Sequence, residues 1–150
     1  MRTDSDQFAC SVCGKGYITM KPASRKVRIL VMDDDEFMRE MLMSALSSSG
    51  HEVCLSGHGV EAIEFYLSAK KTKQPFHLLI LDLKIKNGMD GMETIGRLTS
   101  IDPDVKAIVC SGEGNHPAMH NPANFGFIGA LPKPFSFEQL RDQVDRVIGE

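Results

Sequence analysis

The sequence lacks the segments that carry a protein into or across a membrane. No apolar run approaches the roughly 20 residues that are needed to span a bilayer. The first residues, Met1 to Asp6, also lack the apolar segment of a secretion signal. We therefore expect a cytoplasmic protein that does not bind a membrane.

The sequence also lacks a strong excess of charge of either sign. It contains 17 lysine and arginine residues and 20 aspartate and glutamate residues, which gives a formal net charge of -3 at pH 7. A protein that wraps nucleic acid needs an extended basic surface, and the short run Lys70, Lys71 and Lys73 does not supply one. This charge balance argues against nucleic acid as a partner.

Cysteine is scarce, and only one pair has the spacing of metal ligands. Cys10 and Cys13 lie in a polar segment, residues 1–26, whose sequence resembles the first half of a zinc finger. The second half is missing because no histidine occurs before His51, and two thiolates cannot complete a tetrahedral zinc site. Two alternatives stay open: a partial zinc site that a second chain completes, or a disordered or redox-sensitive tail. The packed domain is predicted to comprise residues 27–150.

One unbroken apolar run, Leu78–Asp82, ends abruptly in a carboxylate, and it predicts a strand buried on both faces. Four further strands are predicted at Val27–Met32, Glu52–Leu55, Val105–Cys110 and Phe125–Leu131. Helical spacing predicts a helix of about 13 residues after Asp34 or Asp35, helices at Gly59–Ala69 and Met92–Thr99, a weak helix at Asn115–Asn124, and a last helix from Ser136. This alternation predicts an α/β fold with a doubly wound, five-stranded parallel sheet and helices on both faces.

Polar side chains follow the ends of four of these strands. The carboxyl ends of parallel strands share one edge of the sheet, where ligands of open α/β sheets bind. Crowded carboxylates repel one another, so a cation is expected, and hard oxygen ligands favour Mg²⁺. A lysine and a hydroxyl could hold phosphate oxygens, which makes the set suited to forming an aspartyl phosphate. The residues are Asp33, Asp34, Asp35, Asp82, Ser111 and Lys133.

Residues 27–148 resemble a response-regulator receiver domain of two-component phosphorelay signalling. The resemblance rests on four motifs in order: ILVMDDD at 29–35, LLILDL at 78–83, IVCSG at 108–112 and LPKPF at 131–135. It implies a flavodoxin-like fold, similar to that of chemotaxis regulators, with strand order 2-1-3-4-5.

The resemblance also implies a role for each matching residue. Asp82 would be the phosphoacceptor, and Asp33, Asp34 and Asp82 would bind Mg²⁺ together with the backbone carbonyl of Lys84. Ser111 and Lys133 would bind the phosphoryl group. Pro134 would follow a cis peptide bond.

The loop from Asp82 to Gly91 is one residue longer than is usual in the family. Together with the segments 101–112 and 124–127, it is similar to receivers at the C-termini of hybrid histidine kinases. The sequence departs from the family at Ala130, where a tyrosine or phenylalanine often couples phosphorylation to the face of the fourth helix, fifth strand and fifth helix. The aromatic half of that switch is missing, and Pro122 interrupts the fourth helix.

We therefore expect a signalling phosphoacceptor that is not an enzyme beyond its own phosphorylation and dephosphorylation. Its partners would be a histidine kinase or a histidine phosphotransfer protein, and a weak homodimer stays open. Since no effector domain follows Glu150, we expect output through altered partner affinity or onward phosphotransfer. Two alternatives remain: a receiver-like binding module that acts without phosphorylation, and a phosphatase that uses Asp33 and Asp35 as nucleophile and acid.

Overall fold

The structure is a computed structural model, and it describes residues 25–149. Cys10 and Cys13 lie outside the described residues, so the partial zinc site stays a prediction. The proposed boundary at residue 27 likewise stays a prediction, although Val27 is buried.

The described chain forms a five-stranded parallel sheet. Its strands are β1 (Arg28–Met32), β2 (Glu52–Ser56), β3 (Leu78–Asp82), β4 (Ala107–Ser111) and β5 (Gly129–Pro132). They are arranged in the order β2-β1-β3-β4-β5 with every pairing parallel, which confirms the predicted fold class and topology. In the register of β3 and β4, Asp82 is opposite Cys110, so Ser111 lies one position further along the same edge.

Both faces of the sheet are covered by helices. The helices are α1 (Glu36–Ser48), α2 (Gly59–Lys71), α3 (Gly91–Ile101), α4 (Pro117–His120) and α5 (Phe137–Ile148). The side chains of β3 alternate between two apolar cores: Leu79 and Leu81 pack with residues of α2 and α3 on one face, whereas Leu78 and Ile80 pack with residues of α1 and α5 on the other. This double burial explains why the residues of β3 before Asp82 are all apolar.

Side chains cap the N-termini of two helices that follow the carboxyl edge of the sheet. The Asp35 carboxylate accepts hydrogen bonds from the backbone N–H groups of Phe37 and Met38, so Asp35 rather than Asp34 is the cap of α1. Ser136 and Gln139 form a reciprocal capping box at the start of α5. Each cap satisfies helix N–H groups that have no partner within the helix, and it thereby fixes the turn that leads out of the sheet.

Two predicted elements differ from the structure. Residues 125–128 do not belong to β5, because Phe125 ends a 3-10 helix, Pro122–Phe125, and Gly126 follows in the left-handed region with φ 94°. The fourth strand begins at Ala107 rather than at Val105, whose N–H bonds the carbonyl of Asp102 in the preceding turn. In both places a local turn outweighs the strand preference of an apolar run.

The predicted weak helix at Asn115–Asn124 is shorter in the structure. It forms a single turn, α4, and the separate 3-10 helix after Asn121. Pro122 has no N–H to continue the hydrogen-bond pattern of α4. None of the described helices is long and apolar enough to cross a membrane.

Candidate functional site at the carboxyl edge of the sheet

Asp82 is the last residue of β3. The residue is only 7% exposed, and both of its carboxylate oxygens have partners. One oxygen, Oδ2, lies 3.1 Å from the Nζ of Lys133, and the other, Oδ1, accepts a hydrogen bond from the backbone N–H of Lys84 at 3.3 Å. Burial and the neighbouring Asp33 carboxylate raise the pKa of Asp82 to about 6, although Lys133 opposes this change. A carboxylate with this pKa is present mainly as the nucleophilic anion at neutral pH.

The turn after β1 supplies two further carboxylates in different surroundings. Asp33 is buried, and its Oδ1 accepts a hydrogen bond from the N–H of Asp35 at 2.9 Å. Asp34 is exposed, and its Oδ2 accepts a hydrogen bond from the N–H of Lys86 at 2.9 Å. This second bond ties the acidic turn to the long loop that follows Asp82.

The three carboxylates form a candidate set of metal ligands. One oxygen each of Asp33, Asp34 and Asp82 lies within 4.8 Å of the other two. All three are hard oxygen donors, and the exposure of Asp34 leaves one side open to water, as Mg²⁺ requires. With Lys133 as a counter-charge, three ionised carboxylates still leave a formal excess of two negative charges, which a divalent cation would balance.

Lys133 lies in the loop between β5 and α5 and bridges two of the acids. Its Nζ is 2.9 Å from Oδ2 of Asp33 and 3.1 Å from Oδ2 of Asp82. Burial alone would lower the pKa of Lys133, but its hydrogen bond to Asp33 and the charges of both acids outweigh burial and raise that pKa. The backbone also holds the lysine, because its N–H donates to the carbonyl of Ser111 at 2.8 Å. The peptide bond between Lys133 and Pro134 is cis.

Ser111 ends β4 on the same edge, and its side chain is buried. Its Oγ accepts a hydrogen bond from the N–H of Glu113 at 2.9 Å. Because this bond uses a lone pair of the hydroxyl, the hydroxyl proton remains available for donation to another oxygen.

Two contacts at this edge were not predicted from the sequence. The Nζ of Lys84 lies 2.6 Å from Oε2 of Glu113, so an ion pair joins the loops after Asp82 and Ser111. The hydrogen bond to Glu113 raises the pKa of Lys84. The second contact is a hydrogen bond from Nη1 of Arg39, in α1, to the carbonyl oxygen of Asp33 at 2.8 Å. The spacing of Arg39, one helical turn after the cap Asp35, was the only sequence signal for it.

The structure therefore brings Asp33, Asp34, Asp82 and Lys133 into direct contact or close proximity, with Ser111 on the same edge. Asp35, the acid of the alternative phosphatase pair, instead caps α1. Ala130 is half-buried in β5 and packs against the core on the face of α2 and α3.

The chain is similar to known signalling proteins over most of its length. It is 27% identical over 121 residues to sporulation initiation phosphotransferase F of Bacillus subtilis, which covers 81% of this chain and 93% of that protein. It is 32% identical over 124 residues to the response regulator receiver protein CpdR of Brucella abortus, covering 81% and 96%. Some other relatives, such as the response regulator MprA of Mycobacterium ulcerans, are longer, and the chain spans about half of their length.

Solved structures show the same fold. The receiver domain of the sensor histidine kinase PA1611 of Pseudomonas aeruginosa, with magnesium coordinated in its active site cleft, superposes with a TM-score of 0.71 and 22% identity. The match covers 84% of this chain and all of that one. The model of the response regulator receiver domain family matches residues 29–145, and this match includes all four strand-end motifs. The chain belongs to the response regulator receiver domain family.

Proposed function

We propose that the chain accepts a phosphoryl group on Asp82 from a histidine kinase or a histidine phosphotransfer protein. The observation that carries this proposal is the position of the Asp82 carboxylate, which lies at the end of a buried strand in contact with Lys133 and close to two further acids. In the transfer, the P–N bond of a phosphohistidine breaks as a P–O bond to Asp82 forms. The histidine nitrogen keeps the electron pair.

The residues around Asp82 have separate tasks in this reaction. Lys133 already donates to Asp82, and its ammonium group can balance charge on a phosphoryl oxygen. The Ser111 hydroxyl has a proton left to donate to a second phosphoryl oxygen. Because both groups are held by backbone contacts before any phosphoryl group arrives, little ordering is needed on phosphorylation.

Mg²⁺ fits the acidic cluster, and Asp33, Asp34 and Asp82 would hold it together with the backbone carbonyl of Lys84. When bound, the metal would balance the negative charges of the carboxylates and of the phosphoryl oxygens. The protein prepares this site through the bonds that orient each acid, namely those of Asp33 to Lys133 and of Asp34 to the N–H of Lys86.

Phosphorylation would then change the affinity for a protein partner or allow transfer to a histidine phosphotransfer protein. Asp35 does not support the alternative phosphatase, because its carboxylate is occupied in capping α1. The expectations of a cytoplasmic location, a weak homodimer and a kinship with hybrid-kinase receivers stay predictions.

Incubation with acetyl phosphate and Mg²⁺ tests the proposal directly. Intact-protein mass spectrometry should show a gain of one phosphoryl group, and hydroxylamine should remove it because the bond is an acyl phosphate. The Asp82→Asn variant should gain nothing, and chelation of the metal should prevent labelling of the wild type. Asp104→Asn, which changes an exposed acid in the loop before β4, is the matched control and should be labelled as the wild type is. Absence of labelling in the wild type would instead favour the phosphorylation-independent binding module.

A further inference from the structure

Arg39 contacts the backbone of the acidic turn rather than a carboxylate. Its Nη1 donates a 2.8 Å hydrogen bond to the carbonyl oxygen of Asp33. That carbonyl belongs to the peptide unit that joins Asp33 to Asp34, so its orientation fixes the direction in which the two side chains leave the backbone. A donor at this oxygen therefore controls the relative positions of two proposed metal ligands.

Other bonds hold the same turn on either side of this peptide unit. The N–H of Asp33 donates to the carbonyl of Ser56 at 3.1 Å, which fixes the turn where it leaves β1. The N–H of Asp35 donates to the Asp33 carboxylate at 2.9 Å, which fixes the turn where it enters α1. The contact of Arg39 lies between these two anchors.

The guanidinium group is itself positioned by the fold. The backbone N–H of Arg39 bonds the carbonyl of Asp35, so the residue lies one turn after the helix cap. A Cβ atom at Gly57 would lie 3.8 Å from Nη1 of Arg39 and 4.0 Å from Oε1 of Glu61, so both charged groups lie beside this glycine. The half-buried arginine therefore reaches the turn along a route that β2 and α2 delimit.

We propose that Arg39 is a positioning residue for the metal site, because it fixes the Asp33–Asp34 peptide unit while leaving the carboxylate oxygens free for the cation. This inference rests on the proposed function, in which Asp33 and Asp34 bind Mg²⁺. It assigns to α1 a part in forming the site besides covering the sheet.

The charge of Arg39 and its positioning role have opposite effects on metal binding. A guanidinium near the acids repels a divalent cation, so loss of its charge alone should tighten binding. Loss of the hydrogen bond should instead misalign two ligands and weaken binding. Residues that orient metal ligands typically account for 10- to 100-fold in metal affinity, so about tenfold weakening is expected overall.

Calorimetric titration of the full chain with MgCl₂ tests the inference in four proteins. Arg39→Met keeps the aliphatic part of the side chain but removes the donor and the charge, and it should weaken Mg²⁺ binding about tenfold. Arg39→Lys keeps the positive charge and a hydrogen-bond donor but has a shorter side chain. Its affinity for Mg²⁺ should lie between those of the wild type and Arg39→Met. Arg97→Met, which removes an exposed arginine that pairs with Glu93 on α3, should bind as the wild type does.

A second readout follows the turn without metal. Amide hydrogen exchange at Asp35, whose N–H bonds the Asp33 carboxylate, should be faster in metal-free Arg39→Met than in metal-free wild type. Binding by Arg39→Met that equals or exceeds that of the wild type would overturn the inference. If Arg39→Met does not fold, Arg39→Lys decides, because an affinity equal to that of the wild type would then overturn it. If the wild type itself binds no Mg²⁺, the metal site of the proposed function is wrong.

Discussion

Replacing Asp82 with asparagine should stabilise the metal-free protein at neutral pH, although it removes the proposed phosphoacceptor. The carboxylate is buried beside Asp33, and these surroundings raise its pKa from 3.8 to about 6. The fold therefore binds the proton of Asp82 more tightly than the unfolded chain does. Ionisation of this side chain must then lower the free energy of unfolding.

The size of the effect follows from that change in pKa. An increase from 3.8 to about 6 corresponds to about 3 kcal/mol of unfavourable free energy once the group is fully ionised. Asparagine avoids this cost but accepts a weaker hydrogen bond from Lys133. We therefore expect a net gain in stability of about 1–3 kcal/mol at pH 7.5.

The stability difference between Asp82→Asn and the wild type should depend on pH. Well below pH 3.8 Asp82 is protonated in both the folded and the unfolded chain, so its surroundings in the fold cost no stability there. As pH rises towards the folded pKa of about 6, ionisation of Asp82 lowers the free energy of unfolding, and above that value the contribution of Asp82 no longer changes with pH. The advantage of Asp82→Asn should thus grow between about pH 4 and pH 6 and then level off.

Urea unfolding in EDTA, followed by far-UV circular dichroism at several pH values, measures this difference. Asp104→Asn is the control, because it changes an exposed acid and should show no comparable gain. If Asp82→Asn is less stable than the wild type at pH 7.5, or if its advantage does not change with pH, the electrostatic description of the site is wrong.

Three further predictions concern the surroundings of Asp82 and the opposite edge of the sheet. Lys133→Met should lower the free energy of unfolding by roughly 1–3 kcal/mol at pH 7.5, because it leaves the two buried acids Asp33 and Asp82 without their cation. This change is opposite in sign to that of Asp82→Asn. Urea unfolding in EDTA measures it. Mg²⁺ at 100 times its Kd should raise the free energy of unfolding of the wild type by about 2.7 kcal/mol, and Asp34→Asn should reduce that gain at the same concentration. Tyr66→Phe removes the 2.6 Å hydrogen bond from the buried tyrosine to Asp102 and should cost about 1–2 kcal/mol at pH 7. That hydrogen bond, with help from Lys70, lowers the pKa of Asp102, so the cost should be constant above about pH 4 and should decrease as pH falls through the lowered pKa. Urea unfolding of the variant and the wild type between pH 2.5 and pH 7 checks this.

The sheet was predictable because its central strands are buried on both faces. The continuous apolar runs of β1 and β3 have few other stable arrangements, and the polar residues at their ends then mark one edge. The run at 125–131 misled the prediction, because Pro122 and Gly126 direct the first half of it into a turn. Apolar composition alone cannot separate a strand from a turn of the same length.

The contacts that orient the site could not be read from the sequence. The different exposures of Asp33 and Asp34 depend on how the turn packs against Ser56 and Lys133, residues that are distant in the chain. The ion pair of Lys84 and Glu113 and the bond of Arg39 to a carbonyl likewise depend on tertiary placement. Spacing along the chain therefore did not suffice to predict them.

The assignment of the phosphoryl group to Asp82 is tested most directly by locating the modified residue. After reaction with acetyl phosphate and Mg²⁺, borohydride reduction converts an aspartyl phosphate to homoserine, which tandem mass spectrometry identifies within a peptide. We predict homoserine at residue 82 alone. Homoserine at Asp33 or Asp34 instead, or at no residue of the reacted wild type, would contradict the account.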